Sequence, residues 1–422
     1  MKDNIIAIDK AHVWHPFDVL HADNICIEKA EGIYLYTSDG RKILDAISSW
    51  WVNIHGHANP IISKAIYEQA LVLEQVIFAG FTHPPAVNLA SKLMEILPFE
   101  VDQIFYSDNG STSVEVAIKL AMQFWYNQSI KRTKIIALEG AYHGDTFGAM
   151  AVGERNVFSK PFQPYLFHVE FLPHYTCSEQ ECIAHFEQLA KTNDIAAFIY
   201  EPLVQGAAGM RIYSKELLSK LIAIAKEYQI VCIADEVMTG FGRTGKLFAS
   251  EYINLPPDIM CVSKGITGGF LPLGVTAVNK KIANVFDSLD KEKRFYHGHS
   301  YTANPLSCAA ANASIAILTS EECRKAILRI EQSHQSFLSQ MLGHPQIKSI
   351  QSLGTILSIE LNIGNETSYF HNKRDELYRF FMNKNILIRP LGNVIYVLPP
   401  YVIKNEELEE IYNAIIELLN LS

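Results

Sequence analysis

No run in the 422 residues approaches the roughly 20 consecutive apolar residues that a spanning helix needs, so no membrane partner is expected. The opening stretch MKDNIIAIDKAHVWHP turns charged after a short apolar run, and an unprocessed soluble chain is expected. No two cysteines form a CxxC pair, and their number, 7, is odd, so complete disulfide pairing is excluded and a reduced, cytoplasmic setting is expected. Positive charge is in deficit: 36 Lys and Arg stand against 45 Asp and Glu, a formal net charge of -9, which gives no reason to expect a polyanionic partner such as nucleic acid. A GxSxG turn is missing, which removes support for a catalytic serine. Repeats and low-complexity linkers are also absent. What remains is core-forming material, 49% hydrophobic and 19% charged, in a chain long enough for one large domain and a smaller companion.

From about residue 60 to 310, short apolar runs alternate with helical patterns: QIFYS, IIALE, AAFIYEP, IVCIADEV, DIMCVSKG and LGVTAVN. Continuous apolar strands between helices predict an α/β fold, with a largely parallel sheet covered on both faces. Ligands of such sheets sit beyond the carboxyl ends of the strands. After Pro305 come two long helices, shorter strands (ILSIEL, ILIRP, VIYVLPP) and a final helix, a smaller α+β domain. The expected division is 1–60, an N-terminal segment with a hairpin in IYLYTSDGRKILDAI that packs with the small domain; 61–310, the large domain; and 311–422, the small one.

Gly240-Phe-Gly-Arg-Thr-Gly245 fits GxGxxG, and with Lys246 nearly spells a P-loop, but no long helix follows and Leu247 holds the Ser/Thr position. SDNGSTSV, residues 107–114, is a better anion turn, because Gly110 permits close approach and the hydroxyls of Ser111 and Thr112 sit where an amphipathic helix begins. IADEV ends a buried strand in Asp235 and Glu236, which demand a cationic partner; a structural salt bridge to Arg243 is one reading. AYHGDT supplies the aromatic Tyr142 at the same edge. The pairs His55/His57 and His297/His299 invite a metal, but no third ligand lies at a familiar spacing, so none is expected. VSKGITGG places Lys264 where a strand breaks into glycine. Anion turn, aromatic, strand-end acid and strand-end lysine at one sheet edge would together suit a cofactor with a phosphate, an aromatic ring and a ring nitrogen, bound through an amine.

With IADEVMTGFGRTG and SKGITGG around Asp235 and Lys264, the chain resembles the class III aminotransferases of fold type I, which use pyridoxal 5'-phosphate. The likeness extends over essentially the whole length: WHP at 14–16, SSWW at 48–51 before IHGH, FTH at 81–83, YHGDTFGAM from 142, VQGAAGMR from 204, HGHSYTANP from 297, IRP at 388–390 and VIYVLPPY from 394. Within the family it resembles members that aminate 8-amino-7-oxononanoate to 7,8-diaminononanoate in biotin formation, taking the amino group from S-adenosyl-L-methionine.

The resemblance implies that Lys264 holds the cofactor and moves the proton, that Asp235 keeps the ring nitrogen protonated, and that Tyr142 stacks on the ring. It further implies that Gly110 and Ser111 bind the phosphate, helped by Ser300 from the other subunit of a homodimer. Arg389 becomes the clamp for the acceptor's carboxylate, with Phe17, Trp50, Trp51, Gly298 and Tyr396 as further substrate contacts. The glycines after Lys264 would let the backbone turn sharply where a bound cofactor leaves little room. Met238 stands where many general ω-aminotransferases of the class carry glutamine, which argues against ornithine, 4-aminobutyrate or another ω-amine as substrate. The donor evidence divides. Phe17 replaces the tyrosine of WHPY, a feature shared with lysine-using relatives along with HGHSYT, whereas the double tryptophan belongs with the adenosylmethionine users; S-adenosyl-L-methionine is the expectation. A catalytically silent binding protein would have no reason to keep Lys264, Asp235 and Tyr142 together.

Overall fold

The apolar runs become a seven-stranded sheet in the computed structural model, which describes residues 2–363 and 373–421. Its spatial order is Gln103–Ser107, Gly274–Val278, Ile259–Val262, Val231–Asp235, Ile195–Tyr200, Lys134–Leu138 and Val169–Leu172. Only Gly274–Val278 runs antiparallel to its neighbours. The carboxyl ends of the other six therefore share one edge, and that edge collects Ser107, Leu138, Tyr200, Asp235 and Val262.

Burial on both faces explains why these strands are unbroken in hydrophobicity rather than alternating. In Val231–Asp235 every residue is buried. Val231 and Ile233 face a core made with the helix Gly110–Asn127, while Cys232 and Ala234 face the core built by helices Glu179–Ala190 and Lys215–Glu227. Each large side chain buried this way, Phe198 or Phe124 for example, contributes roughly 1.5–3 kcal/mol. Helix starts follow side-chain caps: Asn109 accepts from the Thr112 amide at 2.9 Å, and Asn304 caps the helix Pro305–Leu318, whose proline occupies the first turn.

The remaining sheets are smaller. Ile347–Leu353, Ile356–Leu361 and Val394–Val397 form an antiparallel sheet, against which helix Glu321–Met341 packs. The N-terminal hairpin pairs Tyr34–Thr37 with Lys42–Asp45, and Lys42–Asp45 in turn pairs in parallel with Ile386–Leu387, near the other end of the chain. Helix Pro305–Leu318 runs through position 310 and packs on helices Pro60–Ala70 and Pro84–Ile96. We therefore propose to divide large from small domain at the end of that helix rather than inside it.

Among the described residues no helix is long and apolar enough to cross a membrane. GFGRTG opens no helix on the sheet; it lies in a loop folded around Glu236, whose carboxylate accepts from the Ser250 amide at 2.6 Å, the Ala249 amide at 3.1 Å and the Thr239 hydroxyl at 2.5 Å. Arg243 bonds neither Asp235 nor Glu236 and instead donates to the carbonyls of Pro399 (3.0 Å) and Trp51 (3.1 Å), so the expected salt bridge is replaced by backbone contacts.

His334 ties the small domain together, its ring between the Tyr412 hydroxyl at 2.7 Å and the Thr355 carbonyl at 3.1 Å, and burial holds its pKa down to about 4. Because the unfolded chain takes up this proton near pH 6.5, stability is complete above that pH and falls as pH drops toward 4, by up to about 3 kcal/mol. Melting temperatures at pH 7 and pH 5 should therefore differ less in His334→Gln than in the parent; equal differences would show that this ring does not carry the effect.

Candidate active site

Beyond the carboxyl edge opens a cavity of about 380 Å³, lined among others by Trp51, Gly110, Ser111, Tyr142, His143, Glu201, Asp235, Met238 and Lys264. Lys264 starts the short turn Lys264–Thr267 directly after the strand Ile259–Val262 and Ser263, with φ at +46°. A lysine in the left-handed region is strained, and such strain concentrates at working sites. Its Nζ lies 4.6 Å from the centre of the Trp51 ring. Burial holds the amine down to about 8, against the opposing pull of the Asp235 and Glu201 carboxylates.

Asp235, one strand over, is buried, with Oδ2 2.6 Å from Nδ1 of His143 and Oδ1 accepting the Val237 amide at 3.0 Å. Nε2 of His143 is buried with no partner among the described residues. Glu201, also buried, accepts the amides of Tyr142 and Gly206, each at 3.1 Å. Burial pushes this carboxyl up to about 7, with His143 lowering it and Asp235 raising it further. The Tyr142 hydroxyl donates to Asp145 at 3.0 Å; burial is the main reason its pKa lies above the usual phenol value.

At the other end of the cavity, the helix Gly110–Asn127 points its N-terminus inward. The Thr112 hydroxyl is used up in a capping box with Asn109, so of the two hydroxyls proposed for anion binding only Ser111 faces the cavity. Among the described residues no group accepts from the amides of Gly110 or Ser111, and they stand at the positive end of the helix. A Cβ on Gly110 would meet the Val237 side chain at 2.6 Å, so a larger residue cannot stand there without displacing that wall. An amine, a buried acid and an amide cradle in one cavity fit a phosphate-bearing pyridine aldehyde. The chain after Lys264 turns on glycine, Gly268 and Gly269 standing at φ +64° and +86°; Gly269 lines the cavity and also backs onto the Asn53 backbone, where a Cβ would approach to 3.2 Å.

The aromatic wall has an unusual backbone. Ser48, Ser49, Trp50 and Trp51 follow one another at φ +52°, +45°, +71° and +75°, a left-handed turn without glycine that costs roughly 1–2 kcal/mol per residue. It carries Trp51 to the Tyr396 hydroxyl, which accepts from its indole at 3.2 Å. Trp50 packs 5.4 Å from the Phe17 ring, and the Arg389 guanidinium lies 5.0 Å from the centre of its own ring. Nε of Arg389 is buried with no partner among the described residues.

Of the residues singled out from sequence, Gly110, Ser111, Tyr142, Asp235, Lys264 and Trp51 line the cavity, Tyr396 bonds Trp51 behind it, and Phe17 and Arg389 pack on Trp50 next in the chain; Gly298 and Ser300 stand apart. Neither lines the cavity of its own chain, and the Ser300 carbonyl instead accepts from Gln75 at 2.6 Å. His55 and His57 point to Ser314 and Asp45 respectively, and among the described residues no group of three or more His, Cys, Asp or Glu could hold a metal ion. His143 and Glu201 were overlooked. His143 had a signal, a histidine next to the aromatic of an edge turn, and so did Glu201, an acid closing a wholly apolar strand.

The model of "Aminotransferase class-III" matches residues 18–419. Adenosylmethionine-8-amino-7-oxononanoate aminotransferase of Synechococcus elongatus is 46% identical, covering 97% of this chain and 98% of that enzyme. The enzyme of the same name from Helicobacter pylori is 35% identical over 99% and 98%. Among solved structures, that of adenosylmethionine-8-amino-7-oxononanoate aminotransferase from Methanocaldococcus jannaschii superposes with a TM-score of 0.94, at 34% identity and with both chains covered in full. An amine transaminase from an uncultivated Pseudomonas species, solved in its PLP-bound form, gives 0.89 at 28% identity over 96% and 97%. This chain belongs to the class III aminotransferase family, with the fold of its transaminases.

Proposed function

We propose that the protein is a pyridoxal-phosphate-dependent aminotransferase that converts 8-amino-7-oxononanoate to 7,8-diaminononanoate in biotin biosynthesis, with S-adenosyl-L-methionine as the amino donor. One observation carries the reading: Lys264, with its amine held down to about 8, faces the same cavity as the buried Asp235 and the helix N-terminus at Gly110. The full-length relatives that bear this activity in their names support the substrate.

The cofactor supplies an aldehyde that links reversibly to amines and a protonated ring that takes up electrons as the donor's carbon loses its proton. Lys264 holds it and, once freed, takes that proton on Nζ and returns it. At pH 7.5 roughly a quarter of an amine with pKa near 8 is neutral, against about one in a thousand at the ordinary value, which makes it a usable base. Asp235, oriented by His143, keeps a proton on the ring nitrogen. Tyr142 offers a flat face, held through its amide by Glu201. Gly110 and Ser111 take the phosphate with their amides and the Ser111 hydroxyl.

Arg389, beside Trp50, takes the carboxylate at the far end of the acceptor, for which a planar guanidinium fork suits well. Trp50, Trp51 and Tyr396 wall the apolar chain from water, and Phe17 closes that side. Gly298 and Ser300 belong to the proposal through a second copy: in a homodimer with shared sites, this segment reaches the partner's pocket. Exposed Trp14, Phe81, Tyr296 and Tyr301 give such a dimer apolar surface to bury. A cytoplasmic location is part of the same reading.

Lysine as donor is the second reading, favoured by Phe17, which lacks the hydroxyl of a tyrosine. Supplying the keto acid with either donor should give diamine at least about tenfold faster with S-adenosyl-L-methionine; the reverse order would transfer the assignment to lysine. Lys264→Ala should keep the cofactor non-covalently and lose at least about a thousandfold in kcat, and near-parental turnover would remove its role. Arg389→Ala should raise KM for the keto acid by about tenfold or more while leaving the donor half-reaction near its parental rate; a loss confined to the donor step would place the guanidinium elsewhere.

A further inference from the structure

Amino-group transfer does not itself require four successive non-glycine residues to turn left-handed, yet Ser48–Trp51 do, and among them are Trp51, which lines the cavity, and Trp50, which packs against Arg389. Such a turn persists only when its surroundings over-determine it. The ties are specific. The Ser48 hydroxyl donates to the Leu398 carbonyl at 2.7 Å, and Arg243 donates to the Trp51 carbonyl at 3.1 Å. The centre of the network is Asp45, fully buried at the end of the strand Lys42–Asp45. It accepts the Ser49 amide at 3.0 Å, the Ser49 hydroxyl at 2.7 Å, the Ile47 amide at 3.2 Å and Nε2 of His57 at 2.9 Å.

His57 is itself held on two sides. Its backbone exchanges hydrogen bonds with Gly32, at 2.6 and 3.2 Å, and its Nδ1 accepts from the Asn53 side-chain amide at 3.0 Å, which leaves the ring hydrogen on Nε2 for Asp45. Neither Asp45 nor His57 lines the cavity. Asp45 bonds Ser49 within the Ser48–Trp51 turn and His57 bonds Asp45; from that turn Trp51 lines the cavity, and the turn's geometry places Trp50 against Arg389 and Trp51 against Lys264 and Tyr396.

We propose that Asp45 and His57 are positioning residues for the acceptor: their buried hydrogen bond holds the Ser48–Trp51 turn left-handed, and so sets where the carboxylate clamp Arg389 stands relative to Lys264. This rests on the acceptor assignment above. The consequence is selection by chain length, because a keto acid reaches both ends only if the span between guanidinium and amine matches its own.

The holoenzymes of the parent, His57→Phe, His57→Gln and Asp45→Asn test this through kcat and KM for 8-amino-7-oxononanoate and through the tryptophan bands of near-ultraviolet circular dichroism. His57→Phe and Asp45→Asn should raise KM about tenfold with kcat within about threefold, and should change the tryptophan bands. His57→Gln, whose amide nitrogen can take the place of Nε2, should stay within about threefold on KM and keep the bands. Parental KM and bands in both disruptive variants, or equal damage in His57→Gln and His57→Phe, would overturn the proposal. Should His57→Phe fail to fold, the isosteric Asp45→Asn decides by the same two readings. If the parent itself takes no keto acid, the acceptor assignment fails, while the tryptophan bands still decide whether the pair holds the turn.

Discussion

A carboxylate kept from water at the end of a core strand is the constraint on which the rest of this site depends. Asp235 sits where six strands deliver their carboxyl ends, and a lone charge there would be too costly to keep. His143 meets it at 2.6 Å, and the Val237 amide takes its other oxygen. The same charge sets its neighbours' chemistry. It helps push the Glu201 carboxyl up to about 7, and it pulls against the burial that brings the Lys264 amine down to about 8. One acid, held in place, thus shapes the proton affinity of the groups around the cavity, and in the proposed function it would keep the cofactor's ring nitrogen protonated.

Geometry supplies the second requirement of the proposed reaction, a rigid wall for a long acceptor. The left-handed turn at Ser48–Trp51 cannot be a local preference, because each of its residues favours the opposite hand. It holds because Asp45, itself bonded by His57, grips it together with Arg243 and Leu398 from distant parts of the chain. Arg243, which beside Asp235 and Glu236 in sequence invites an ion-pair reading, serves this wall instead, and Glu236 gathers backbone amides to shape its own loop.

The strands were legible because each is buried on both faces and so reads as an unbroken apolar run, as in IAAFIY and VCIAD. Lys264, Asp235 and Gly110 were legible because each stands where such a run, or the helix after it, begins or ends. What escaped depends on pairing between distant positions. His143 finds Asp235 across 92 residues, and Trp51 finds Tyr396 across 345. Nothing in SSWW announces positive φ, since the usual markers, glycine and asparagine, are missing. The glycines after Lys264 mark a sharp turn, which Gly268 and Gly269 make, but nothing in the sequence points to the Asn53 backbone that presses on Gly269. Gly298 and Ser300 stand apart from the cavity of their own chain.

All of this converges on one nitrogen atom. Reducing the cofactor-loaded protein with borohydride and mapping the peptides by mass tests it most directly. The account predicts that the added mass of the reduced cofactor lies on Lys264 and nowhere else. Label on another lysine, or none on a protein that retains its cofactor, would contradict it.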